Sequence, residues 1–158
     1  MSTFDELADL PLQIDDYALE TREQQVSSGF LRLTTTFLLH GGGHEGAGED
    51  VSYDADDQLA LQRAGAVHPL AGSWTLGSFC EHLETLELWP EPARHAASRD
   101  YRVWAYESAA LDLALRQAGT SLHAHLGREP RPVTFVCSLR LNDPEQPPDV
   151  GFGEIESF

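Results

Sequence analysis

The chain has 158 residues, 41% of them apolar, which is enough for one domain with a sizeable core. Its 26 acidic residues face 10 cations, all arginine, for a formal charge of −16, and such a charge argues against nucleic acid and anionic membranes as partners. No run reaches the length of a transmembrane helix, and the acidic start MSTFDELADL is not a secretory leader. The two cysteines, Cys80 and Cys137, sit in apolar settings that suit reduced core thiols, so a cytoplasmic location is expected.

Residues 1–16 read as an N-terminal arm with one helical turn over 4–10, stopped by Pro11. Residues 17–26 read as a strand made polar by Glu20, Arg22 and Glu23, and Ser27-Ser28-Gly29 breaks it. Residues 30–40 give the clearest strand. Phe30, Arg32, Thr34 and Thr36 lie on one face, and Leu31, Leu33, Thr35 and Phe37 on the other. Gly41-Gly42-Gly43 reverses the chain and 45–53 returns as a third strand, completing an antiparallel meander.

Helices follow. Asp54 or Asp57 caps one that runs through Leu59, Leu61 and Ala64 to Gly65, and Thr75 caps another with Leu76, Phe79, Cys80, Leu83 and Leu86 at helical spacing. After the proline-stiffened link at 89–92 comes the helix on which the rest is expected to pack. Tyr101, Trp104, Ser108, Leu111, Leu115 and Ala118 share one of its faces, and Val103, Ala110, Leu113 and Ala114 add apolar side chains around it. The prediction is a buried helix with that stripe at its centre and Gln117 exposed. Gly119 ends it, and Thr120 or Ser121 caps a short helix closed by Gly127. Residues 132–141 then alternate as a strand, Val133, Phe135, Cys137, Leu139 and Leu141 forming its apolar face, before an acidic, proline-rich tail at 142–158. Strands first and helices afterwards define an α+β class: a three-stranded antiparallel meander followed by a helical bundle, plus one extra C-terminal strand.

Local motifs supply little chemistry. His40 and His44 with Glu45 have a spacing two metal-bound imidazoles can share, but no further ligands accompany them, and the glycines between serve a tight reversal. GGGHEGAG lacks the lysine and hydroxyl of a phosphate loop. Glu107 and Asp112 do not share a helical face, and Asp112 has Arg116 one turn on as a structural partner. His123 and His125 are expected in solvent. Ser73, Ser78 and Ser108 have no histidine partner by local pattern, so a hydrolase triad is unsupported.

Taken in order, GGGHEGAGEDVSY at 41–53, YESAALDLALRQAG at 106–119, SLHAHLGR at 121–128 and PVTFVCSL at 132–139 resemble the enolase superfamily, in its mandelate racemase and muconate lactonising branch. The resemblance implies a capping domain at 17–128 and the first strand of a (β/α) barrel at 129–141. It implies that the completed enzyme uses Mg²⁺ to abstract an α-proton from a carboxylate substrate, as an isomerase or lyase. The metal ligands and acid/base residues belong to the barrel, so this chain is expected to be inactive alone and to hold no cofactor itself. Its transferable positions are two substrate-facing segments: Gln25, Ser27, Ser28 and Phe30 between the first two strands, and Asp50, Ser52 and Tyr53 after the third. The expected partner is the barrel domain or a second copy of the chain. The rival reading is a free-standing interaction module that keeps the cap's fold and pairs through the 132–141 strand.

Overall fold

Alternating side chains in the first half produce the sheet that the helices then cover. The structure is a computed structural model and describes residues 2–25 and 31–134, which form an α+β fold. Strands β2 (Asp16–Gln25), β3 (Leu31–Gly41) and β4 (His44–Asp50) form an antiparallel sheet in sequence order. Opposite residues pair Tyr17 with Leu39, Leu19 with Phe37 and Thr35 with Asp50. Leu33, Thr35, Phe37 and Leu39 are buried on one face, with the parity the sequence indicates, while Arg32, Thr36 and Leu38 on the other are only half-buried. Gly42 and Gly43 both take positive φ, 56° and 79°, as the tightest hairpin turns require.

Helix α4 (Ala96–Gln117) lies across the buried face, and its position is dictated by glycine. A Cβ at Gly48 would stand 2.0 Å from the Ala105 carbonyl oxygen, and one at Gly46 would stand 2.3 Å from that of Ala109. Backbone therefore rests on backbone at Ala105 and Ala109, whose small side chains suit so close an approach. The buried residues are accordingly Ser98, Arg102, Ala105, Tyr106, Ala109, Ala110, Leu113, Ala114 and, alone of the expected stripe, Leu115. This corrects the expected stripe. Trp104 is 55% exposed, Ser108 and Ala118 are exposed, and Tyr101 and Leu111 are only half-covered. Gln117 is corrected as well. Its side-chain nitrogen donates to the carbonyls of Gln13 (2.8 Å) and Gly41 (3.0 Å), and its oxygen accepts from the Gln13 N–H (3.0 Å).

The other helices follow their caps. Asp54 caps α2 (Ala55–Ala64), Thr75 and Ser78 form a capping box for α3 (Leu76–Glu84), and Ser121 caps α5 (Leu122–His125). The segment set apart as an N-terminal arm is part of the body. Ser2 caps α1 (Thr3–Leu7), and β1 (Pro11–Ile14) pairs antiparallel with β5 (Gly72–Thr75) in a second sheet that the sequence did not suggest. Leu7, Leu10, Leu12 and Ile14 join Phe37, Leu39, Leu61, Phe79, Leu83 and Leu113 in one core. Each such side chain contributes about 1.5–3 kcal/mol by leaving water.

Of the expected 132–141 strand, only Pro132, Val133 and Thr134 are described. They form no regular element, and Val133 is 69% exposed; the remainder lies outside the described residues. Among the described residues, no helix is long and apolar enough to cross a membrane.

Candidate functional site at the tip of the meander

Antiparallel order points three strand ends toward the same end of the sheet. Gln25 closes β2 opposite Leu31 at the start of β3, and Asp50 closes β4 opposite Thr35, so the β2–β3 connection and the segment after β4 leave from the same end of the sheet. These are the two segments singled out by the resemblance. Ser27, Ser28 and Phe30 lie outside the described residues, and Gln25 is exposed at the end of its strand.

Within the second segment the four residues divide by parity. Asp50 continues the inward side of Gly46 and Gly48 and is completely buried. Its carboxylate accepts 2.8 Å bonds from Arg102 Nε and from the Ser52 N–H. Arg102 is also fully buried, donating to the carbonyls of Leu88 and Asp57 (3.3 Å each), with its guanidinium carbon 3.6 Å from the centre of the Trp89 ring. Gln58, equally buried, donates to the carbonyls of Asp50 (2.9 Å) and Ser52 (3.2 Å) and accepts from the Thr35 hydroxyl (2.7 Å). Ser52 has no exposed surface. Asp50 and Ser52, expected to face a substrate, therefore form the frame of the segment rather than its working face. Such a network is stable because every charge in it meets a partner.

The outward residues face solvent. Val51 is 44% exposed and Tyr53 is 65% exposed. Arg32 joins them from the open face of β3: one guanidinium nitrogen, Nη2, donates to the Val51 carbonyl, and the guanidinium carbon stands 4.7 Å from the centre of the Tyr53 ring. Arg32 and Val51, together with Arg22, Glu23, Gln24, Thr34, Thr36 and Glu49, border a concavity of about 660 Å³. Arg22 is neutralised by Glu20 at 2.9 Å and donates to the Thr36 hydroxyl at 3.4 Å. Glu49 accepts from the Thr34 hydroxyl at 2.5 Å. Sequence reasoning placed Arg32 on the polar face of its strand but not in the site. Its partners lie some twenty residues away, beyond the reach of any local pattern.

Elsewhere the titratable groups are structural. His40 lies between Asp16 (2.5 Å) and Glu45 (3.2 Å), and chiefly the Asp16 bond holds it above its ordinary protonation range. Burial pushes the Cys80 thiol up to about 12, with Glu107 adding to the effect, and burial raises Glu107 itself. A thiol so hard to ionise is no nucleophile. Asp112 is bonded to Arg116 (3.0 Å) and to the Ala47 N–H (3.0 Å), as a structural carboxylate should be. Ser73 donates to Gln13 (2.6 Å), and Ser78 belongs to the α3 cap. Among the described residues, no three His, Cys, Asp or Glu side chains are grouped so as to hold a metal ion. The resemblance's Mg²⁺ does not fit this part of the chain, since Asp50, the most buried acid of the site, is bound to Arg102.

The fold and site define an α+β domain whose polar sheet tip is exposed and whose helices cover the opposite face. The chain belongs to the family described as "Domain of unknown function (DUF8230) N-terminal domain", whose family model matches residues 5–125. No curated protein and no solved structure matches it.

Proposed function

We propose that the chain is the capping part of an enolase-like enzyme, which sets substrate selectivity over a barrel that performs Mg²⁺-dependent α-proton abstraction from a carboxylate. The observation that carries this reading is the bond from Arg32, near the start of β3, to the Val51 carbonyl just after β4, which ties the segment after β4 to the strand that follows the β2–β3 connection. Selectivity by a cap needs such an arrangement: adaptable outward residues on a rigid inner frame. The family's description as an N-terminal domain agrees with a unit that precedes another. The metal ligands and the base are assigned to the barrel, because neither lysine nor a grouped ligand set occurs here among the described residues. A cytoplasmic setting suits the acidic chain and the free thiol of Cys80.

The test pairs the purified chain with an enolase-like barrel encoded in the same genome. With Mg²⁺, a panel of carboxylates is incubated in deuterated water and α-proton exchange is followed by NMR. Exchange is expected for the pair and not for this chain alone. Exchange by the chain alone, or a pair that neither associates nor exchanges any substrate, overturns the reading.

A further inference from the structure

Arg32 stands out by what it does not touch. In a chain with 26 acidic residues, the arginines at 22, 63, 94, 99, 102, 116 and 128 each have a carboxylate within 4 Å. Among the described residues Arg32 and Arg131 have none, and Arg131 lies in the exposed run after α5. Arg32 is half-buried, yet among the described residues its charge is met by the Val51 carbonyl and the face of Tyr53 and by no carboxylate. Its other terminal nitrogen, Nη1, is out of solvent and has no acceptor. A desolvated guanidinium nitrogen left without an acceptor is costly, and in a folded protein it calls for an explanation.

The surroundings narrow what would satisfy it. Two of the guanidinium's constraints are already set, by Val51 on one edge and by Tyr53 on its face, so Arg32 is a planar fork held in place at the wall of the concavity. A carboxylate matches that fork in shape and charge. Glu23 and Glu49 border the same concavity, so a doubly charged phosphate would meet strong repulsion where a single carboxylate meets less. We infer that Arg32 is the receptor for a carboxylate. Resting on the capping reading, it holds the end of the substrate that lies away from the reacting carbon and makes Arg32 a selectivity residue.

The experiment titrates the ¹⁵N-labelled full chain with acetate, a single carboxylate, against sodium chloride of equal ionic strength. It follows the Arg32 Nε–H and the backbone N–H groups of Thr34, Thr36 and Val51. Saturable shifts confined to these groups are expected. Arg32→Gln and Arg32→Lys should each weaken binding at least about tenfold, through loss of the charged, forked contact. Arg128→Gln, which lies outside the concavity and is paired with Glu6, should retain the response. Shifts no larger than those in chloride, or an undiminished response in Arg32→Gln, overturn the inference. Because the barrel takes no part, such a failure leaves the capping reading standing. That reading fails separately, through absent association or proton exchange.

Discussion

Replacing Arg102 with alanine tests the frame that holds the tip. The guanidinium is buried completely, and its removal strips the Asp50 carboxylate of its 2.8 Å charged partner, leaving that group only the Ser52 N–H. The carbonyls of Leu88 and Asp57 lose a donor at the same time, and the Trp89 ring loses the cation 3.6 Å from its centre. Leaving one member of a buried ion pair alone costs about 3–5 kcal/mol, against a total stability of roughly 5–15 kcal/mol for a domain. With a urea m-value of about 2 kcal/mol/M, the unfolding midpoint should fall by roughly 2 M. Trp89 is itself a convenient fluorescence reporter. Because a buried pair exchanged for neutral groups is often tolerated, the double variant Asp50→Asn with Arg102→Met should recover at least half of that loss. A midpoint for Arg102→Ala within about 0.3 M of the parent would refute the reasoning.

Two further perturbations separate the observed core from the expected one. Leu113→Ala should cost about 2–5 kcal/mol, while the half-covered Leu111→Ala costs clearly less; equal urea midpoints would contradict the orientation of α4. Gln117→Ala should cost about 1–3 kcal/mol through its three lost bonds, rather than behaving as a neutral surface change. His40 should titrate above 6.5 by NMR and return toward that value in Asp16→Asn. Its folded state holds the proton more tightly than the unfolded one. The interaction therefore stabilises below pH 6.5 and is lost as pH rises through the raised value, and a titration at or below 6.5 contradicts it.

Period-two alternation carried the meander, since Leu33, Thr35, Phe37 and Leu39 need only parity to find the covered face. The caps at Asp54, Thr75 and Ser121 were legible because capping chemistry is local. The face of α4 was misjudged because hydrophobic patterning favours large side chains. A helix resting on Gly46 and Gly48 buries its small ones and pushes Trp104 outward. The glycines themselves held the missing signal: Gly46, Gly48 and Asp50 share a parity, which places Asp50 inside with them. Arg102 reads as a surface charge until its partners, dozens of residues away, are in place. Strands of four residues such as β1 and β5 are too short to show a period at all.

Gln117 has a consequence for the order of events during synthesis. Its amide presents one donor and one acceptor to the backbone of Gln13, so it serves as a one-residue strand laid beside β1. The two residues are 104 positions apart, an interval a ribosome needs about 5–20 s to cover. Throughout that interval Leu12 and Ile14 have been made but their lid has not, and β5 reaches the other edge of β1 only about halfway through. The nascent chain must therefore carry an unfinished apolar edge well past the completion of the meander. Its crowd of acidic side chains keeps neighbouring nascent chains apart until the end of α4 closes the edge.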